Sequence, residues 1–205
     1  KANPYYNGNM MQYLESRPDY FKDLVEVIRL SGMEDVFEDE QITFFAPTDW
    51  SIRGSFNYLN RIWYRMGHDS IKSFSQIKPE VWREMLSMYI VKDKYLLKDI
   101  PQIDTTAIAY PGQAFLSYGQ QPMNMGVVYY DANNVKYAGA RQIIYSYVYD
   151  FTIGDMKNAY VATSDIQPTN GVVHVLRLTD HAFGFEPYLF ATKAINATIE
   201  TEPDN

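Results

Sequence analysis

Two short segments, each a predicted strand joined to a polar turn, constrain the fold of this chain more than any other feature. They are residues 42–50 (ITFFAPTDW) and residues 165–176 (DIQPTNGVVHVL). Pro47 has no backbone N–H to give to a sheet, so the first strand ends there. Asn170 and Gly171 both tolerate positive φ, so they favour a tight turn before the second strand. Neither segment holds a convergent set of nucleophile, acid or metal ligands, and both therefore predict architecture rather than chemistry.

The composition is that of one ordered globular domain. The chain has 205 residues, of which 46% are apolar and 21% charged, which suits one large domain or one domain with decorations. Tyrosine is unusually frequent, with 18 copies beside 11 Phe and 3 Trp. Tyrosines favour half-buried strands and also suit surfaces that contact proteins or sugars.

Charge and residue usage exclude several classes of function. The net charge of −7 predicts no nucleic-acid partner, because phosphate binding needs clustered Lys and Arg. No apolar run reaches the ~20 residues of a membrane span. The absence of cysteine removes disulfides, thiol catalysis and cysteine-based zinc sites. The sequence opens at Lys1 without Met, so we expect an upstream segment removed by processing, and a lipid anchor there is compatible with the composition.

Apolar periodicity predicts helices in the first half of the chain and strands in the second. The predicted helices cover 10–14, 18–31, 33–38, 55–66 and 79–89. The predicted strands cover 42–45, 94–97, 113–118, 125–131, 135–138, 141–150, 159–163 and 172–178. We expect an N-terminal arm over 1–17, one domain over 18–185, and a polar tail over 186–205 that frays.

No catalytic, metal or cofactor site emerges from the residue spacing. The three histidines, His68, His174 and His181, lack the spacing of a zinc hydrolase. Ser164 and Asp165 could form a triad with His174, but the Gly-x-Ser-x-Gly elbow is missing. Nothing in the spacing selects two carboxylates for a glycosidase, and no phosphate-binding glycine loop is present. We therefore predict no catalytic residue, metal or cofactor, and a hydrolase is the least favoured alternative.

One strand carries three tyrosines on a single face. Alternation over residues 143–149 puts Tyr145, Tyr147 and Tyr149 on the same side. An exposed face of this kind would be an aromatic surface for sugar rings or a protein. The interpretation we favour is cross-strand packing under another element.

The two opening segments resemble the signature motifs of the fasciclin-like domain family. Residues 43–49 (TFFAPTD) match the first motif, and residues 165–176 match the second, with Pro168 in place of a small residue and Arg177 in place of a final acid. Between them, residues 88–96 (MYIVKDKYL) resemble a further family segment. The motif residues, all expected to be structural, are Thr43, Phe45, Ala46, Pro47, Thr48, Asp49, Asp165, Thr169, Asn170, Gly171 and His174.

The resemblance implies an α+β domain, with a mostly antiparallel β-wedge or sandwich flanked by several helices. It also implies an extracellular role in adhesion, and bacterial members are commonly secreted or anchored as envelope lipoproteins. The family's Tyr-His pair is replaced here by Met88-Tyr89, so an integrin-type contact is not carried over. Segments 53–80 and 101–157 are longer than usual, and such additions suit a private binding surface.

Together these features predict a non-enzymatic adhesion or interaction domain of the bacterial cell surface. The expected location is the cell envelope, either anchored in the outer membrane or secreted, and the partner is a surface protein or a glycan. A carbohydrate-binding surface protein is the alternative. Within the motifs, we expect adjacent strands and one shared polar cluster of Thr48, Asp49, Asn170 and His174 that satisfies backbone groups.

Overall fold

The computed structural model describes residues 2–103, 113–197 and 199. Its helices are Met10–Glu15 (α1), Pro18–Leu30 (α2), Glu34–Asp39 (α3), Asp49–Arg65 (α4), Pro79–Ser87 (α5) and Pro187–Asn196 (α6). Its strands are Ile42–Ala46 (β1), Ile90–Lys92 (β2), Gln113–Leu116 (β3), Pro122–Tyr129 (β4), Arg141–Asp150 (β5), Asp155–Ile166 (β6) and Gly171–Leu176 (β7). Short 3₁₀ turns cover Phe74–Gln76, Leu97–Asp99 and Phe151–Ile153.

The strands form one mixed sheet in the order β2-β1-β7-β6-β5-β4-β3. β1 and β7 run parallel, and each of the other neighbouring pairs is antiparallel. The parallel pair joins the two motif segments, with Phe44 opposite Val173 and Phe45 opposite His174. The prediction that the motif strands are adjacent is confirmed.

The sheet curls until its two edges approach each other. The backbone N–H of Tyr118, just after β3, donates to the carbonyl of Ile90 in β2 at 2.7 Å. The rings of Tyr95 and Phe115 also meet edge to face across this junction, with centroids 5.2 Å apart. The result is a wedge close to a barrel, and the predicted α+β class is confirmed.

Helices cover the sheet with apolar faces spaced at the helical period. In α2, Leu24, Val27 and Ile28 are fully buried. α2 begins with a proline in its first turn and ends at Leu30. Gly32, just beyond its C-cap, has a φ of 70°, the left-handed value that favours glycine after a helix. Each large apolar side chain buried in this way contributes about 1.5–3 kcal/mol.

Near both ends of the chain, the described residues pack more closely onto the domain than the sequence predicts. The arm before α1 pairs with residue 167 through a Tyr6 N–H bond to the Gln167 carbonyl, and Met10 of α1 is fully buried. The prediction of a fraying tail is wrong for Pro187–Asn196, which form α6. Its narrow stripe of Phe190, Ala191 and Ala194 is buried in the core. Residues 198 and 200–205 lie outside the described residues.

Two predicted strands are wrong because positive-φ residues turn the chain. Asp93, with φ 75°, ends β2, so residues 94–97 lead into a 3₁₀ turn rather than a strand. Residues 135–138 belong to the β4–β5 loop, where Asn133 and Asn134 have φ of 50° and 63°.

The two predicted insertions carry regular structure. Segment 53–80 contains most of α4, a 3₁₀ turn and the start of α5, and segment 101–157 supplies β3, β4 and β5. Residues 104–112 of the second segment lie outside the described residues. None of the described helices is long and apolar enough to cross a membrane.

Candidate functional site

The polar residues of the first motif bind backbone groups of neighbouring elements. The Thr43 hydroxyl donates to the Asp93 carbonyl and accepts from the Tyr95 N–H, both at 2.8 Å. Asp49, in the first turn of α4, accepts from the Leu24 N–H at 3.0 Å. Burial raises the pKa of Asp49, against the lowering effect of the bound N–H groups. These residues therefore fix the path after β2 and the docking of α2 on α4.

Asn170 is the most heavily bonded side chain of the second motif. Its amide oxygen accepts from the Met10 N–H at 2.8 Å, and its amide nitrogen donates to the carbonyls of Phe37 and Glu40 at 2.9 and 2.8 Å. The neighbouring Gly171 packs against the Ile42 carbonyl so closely that an added Cβ would lie 1.9 Å from its oxygen. Only glycine therefore fits at position 171. The Asn170 amide ties α1 and α3 to the turn before β7.

The buried His174 has its tautomer set by two backbone bonds. The Asp165 N–H donates to Nδ1 at 3.2 Å, and Nε2 lies 2.8 Å from the Tyr95 carbonyl. Because an N–H can only donate and a carbonyl can only accept, the ring is neutral with its proton on Nε2. Burial lowers the pKa of His174. Both ring nitrogens are engaged, so this histidine is poorly suited to proton transfer.

The expectation of one shared polar cluster is wrong. Thr48 and Asp49 lie at the start of α4, Asn170 lies between α1 and α3, and His174 bonds the backbone at residues 95 and 165. Each satisfies backbone groups at its own junction, because parallel pairing of β1 and β7 places the polar turns at opposite ends of the two strands.

The other motif residues occupy structural positions. Ala46 and Pro47 are buried at the end of β1. Thr169 is exposed, and its N–H donates to the Gly8 carbonyl. Asp165 accepts from the Leu97 N–H at 2.8 Å. Among the described residues, the Ser164 hydroxyl makes no hydrogen bond to His174, so the triad considered from the sequence is not assembled.

The tyrosine face of β5 is buried at one end and open at the other. Tyr145 is fully buried, and its ring stacks on Phe45 with centroids 3.9 Å apart and planes 4° apart. Tyr147 is half-buried, and Tyr149 is 44% exposed. The Tyr149 hydroxyl donates to Glu186 at 2.9 Å. The alternative of one exposed surface formed by all three tyrosines is therefore wrong. The favoured interpretation, packing beneath another element, is correct for Tyr145.

A buried tyrosine–histidine pair was missed from the sequence. Tyr89, which stands where the family motif has histidine, has its hydroxyl 2.6 Å from His181 Nε2 and accepts from the Gly184 N–H at 2.8 Å. Since the Gly184 N–H donates to the Tyr89 oxygen, the hydroxyl hydrogen is left to donate to His181. Burial lowers the pKa of His181 to about 3 and raises that of Tyr89.

Two open surface depressions have the size of small-ligand sites, which span roughly 300–1,000 Å³. One of about 410 Å³ lies between α5 and α6 and has Arg83, Met88 and Lys193 in its lining. The other, of about 370 Å³, is here called the Trp50 pocket. It is lined by Trp50, Lys157, Thr179, Asp180, His181, Ala182, Phe185 and Pro187.

Exposed aromatic residues lie in the Trp50 pocket and next to it along the chain. Trp50, which lines the pocket, is 52% exposed, and Tyr188, next to Pro187, is 47% exposed. The Tyr149 hydroxyl donates to Glu186, the residue before Pro187. The sequence analysis names Tyr149 as a possible surface residue but misses Trp50, which directly follows the first motif, and Tyr188, which lies in the predicted tail.

One acidic group could hold a cation in the part of the chain that the structure describes. Ligand oxygens of Asp35, Glu38 and Asp39 lie within 4.8 Å of one another. Two of these side chains face solvent and the third is half-buried. Exposed acidic groups of this kind are common without a metal.

The sequence and the fold both match those of a known protein family. The family model described as the Fasciclin domain matches residues 19–177. A search of curated proteins gave no match. Among solved structures, the chain is similar to a FAS1 domain pair from the insect cell adhesion molecule fasciclin I, with a TM-score of 0.54 and 15% identity. The similarity covers 84% of this chain and 50% of that one, so the chain spans about half the length of the solved structure. Because the family model matches residues 19–177, which are most of the chain, this protein belongs to the fasciclin domain family.

Proposed function

We propose that this chain is a non-enzymatic interaction domain displayed on the bacterial cell surface. Fasciclin domains are generally adhesion or interaction modules and are usually extracellular or surface-associated. The observation that carries the proposal is that the motif residues and the exposed aromatic residues have different roles. The polar groups of the two motifs bind the protein's own backbone, whereas Trp50, Tyr149 and Tyr188 present aromatic rings to solvent.

The proposal of a non-enzymatic role is supported by the state of the candidate catalytic groups. His174 is neutral, buried and bonded to backbone at both nitrogens. His181 is also buried, and its Nε2 accepts from a tyrosine hydroxyl. A general base needs reach to a substrate proton and a pKa near the working pH, and neither histidine offers both.

The proposed location is the outer face of the cell envelope, with a lipid anchor upstream of Lys1. The net charge of −7 and the absence of cysteine are compatible with this location. Protease treatment of intact producing cells tests it. Surface display predicts loss of the full-length protein while a cytoplasmic marker stays intact, and protection of the protein until the cells are lysed would contradict display.

A binding experiment tests the interaction role. The purified chain is immobilised and exposed to arrays of extracellular proteins and of glycans, and it is also incubated with ester and glycoside panels. We expect saturable binding to a component of one array and no turnover. Turnover that Ser164→Ala or a single carboxylate substitution abolishes, in a variant with unchanged melting temperature, would contradict the proposal.

A carbohydrate ligand is the second candidate, and the Trp50 pocket favours it. An exposed indole beside Lys157, Thr179 and Asp180 combines an apolar ring with hydrogen-bonding groups. This combination suits a ligand with an apolar face and a polar edge.

A further inference from the structure

The Trp50 indole is an exposed ring without a partner. Trp50 lies in the first turn of α4 and leaves about half of its surface open to solvent. Within the described part of the chain, no aromatic ring contacts it and its indole N–H makes no hydrogen bond. By contrast, Trp63 and Trp82 are buried. Because Trp50 also lines a pocket, its exposed indole can contact a ligand bound there.

Three residues that share the pocket with Trp50 have polar groups that can still form hydrogen bonds. Lys157 has no carboxylate within ion-pair distance among the described residues, and the Thr179 hydroxyl makes no hydrogen bond there. Asp180 pairs with Arg177 through one carboxylate oxygen at 3.0 Å, which leaves its other oxygen free to accept. The lining of the pocket thus combines an ammonium group, a hydroxyl, a carboxylate and an indole.

The aromatic surface continues past the pocket. Pro187 lines the pocket, and both of its chain neighbours, Glu186 and Tyr188, hydrogen-bond to Tyr149. Tyr147 packs edge to face on Tyr149, with ring centroids 5.1 Å apart. A ligand longer than one ring could therefore contact a second aromatic group beyond the pocket.

We propose that the Trp50 pocket binds a pyranose ring of a surface glycan, stacked on the Trp50 indole. A pyranose has an apolar C–H face and a rim of hydroxyls, and these match the indole and the groups of Lys157, Thr179 and Asp180. The pocket volume of about 370 Å³ suits a small ligand. A protein partner instead needs about 800 Å² on each side, with aromatic anchors in a desolvated centre. This inference rests on the proposed interaction role and names its ligand class.

Intrinsic fluorescence gives a direct readout, because Trp50 is the one exposed member of the chain's three tryptophans. The whole chain is screened on a glycan array, and the best oligosaccharide is titrated while quenching by acrylamide is followed. Binding should protect Trp50 from the quencher. Affinity is then measured for Trp50→Ala and for Tyr64→Ala, a matched control at a 69% exposed ring of the same helix.

We expect Trp50→Ala to weaken glycan binding at least about tenfold, or about 1.4 kcal/mol, at a temperature where the variant is fully folded. Tyr64→Ala should bind like the parent chain. Glycan binding that is the same in Trp50→Ala and the parent would overturn this site while leaving the interaction role intact. Trp50-dependent binding of an extracellular protein, with no glycan bound, would overturn the ligand class alone. Absence of binding on both arrays would overturn the site and the proposed function together.

Discussion

The side-chain oxygen of Asn170 accepts a hydrogen bond from the Met10 N–H at 2.8 Å, across 160 positions of the chain. Met10 is the first residue of α1, where backbone N–H groups have no partner within the helix. The Asn170 amide nitrogen completes the junction by donating to the carbonyls of Phe37 and Glu40. A single motif residue therefore holds two helices against the sheet.

Removal of this amide should destabilise the fold. Asn170→Ala deletes three hydrogen bonds to part-buried backbone groups, and we expect the free energy of unfolding to fall by about 2–4 kcal/mol. Urea denaturation measures the change. Thr169→Ala is the matched control, because its exposed side chain makes no hydrogen bond among the described residues, and it should stay within about 0.5 kcal/mol. Equal midpoints for the two variants would contradict this role.

Two glycines make a second contrast. Gly171→Ala should prevent stable folding or lower the unfolding free energy by about 3 kcal/mol or more, because its Cβ would meet the Ile42 carbonyl oxygen and disrupt the β1–β7 pairing. Gly54→Ala lies within α4, where an added Cβ meets nothing within 4 Å. It should stabilise the chain by about 0.5–1 kcal/mol. Thermal denaturation of both variants measures these changes. A Gly171→Ala variant with the stability of the parent would contradict the predicted clash with the Ile42 carbonyl.

Acid should weaken the fold through His181. Its folded pKa is about 3, below its ordinary value of 6.5, so the unfolded chain binds the proton more tightly. The stabilisation is complete above pH 6.5 and is lost as the pH falls towards 3, which gives about 2 kcal/mol between about pH 7.5 and pH 5.

The test compares urea unfolding across that pH range in His181→Gln and in the parent chain. The variant should lose part of the pH dependence, and a remainder should persist because the pKa of His174 is also lowered. A slope in His181→Gln equal to that of the parent would show that His181 is protonated alike in both states.

Loss of the Tyr89 hydroxyl should be costly because it has two buried partners. Tyr89→Phe leaves the Gly184 N–H and His181 Nε2 unpaired, and we expect a loss of about 1–3 kcal/mol in unfolding free energy. Calorimetric melting measures it, with Tyr64→Phe as an exposed control. In a His181→Gln background the loss from Tyr89→Phe should be smaller, because only the bond from the Gly184 N–H is still removed. An equal loss in both backgrounds would show that the two side chains are not coupled.

Sequence patterns predict most of the helices and strands, but they do not predict which part of a strand face is buried. The helical spacing of Leu24 and Ile28 and the alternation through β5 locate their elements well, because each has a long apolar repeat. Alternation also places Tyr145 and Tyr149 on one face. It gives no information on where the covering chain ends, and here Phe185 packs against Tyr145 and Tyr147.

The helix α6 and the Trp50 pocket escape sequence reasoning for different reasons. Residues 187–196 (PYLFATKAIN) are largely apolar, but the sequence prediction groups them with the polar residues that follow, and so it misses the buried stripe of Phe190, Ala191 and Ala194. The pocket collects residues from α4, β6 and the chain after β7. Residues so far apart in sequence meet only through the tertiary fold, and no local pattern indicates their contact.

The most direct test of the central claim compares Asn170→Ala and Trp50→Ala for both melting temperature and glycan affinity. The motifs are held to maintain the scaffold, and the Trp50 pocket is held to bind. Asn170→Ala should lower the melting temperature while binding persists at temperatures where the variant is folded. Trp50→Ala should lower affinity at least about tenfold at temperatures where it is fully folded. An Asn170→Ala variant with the parent melting temperature and no binding would contradict the account.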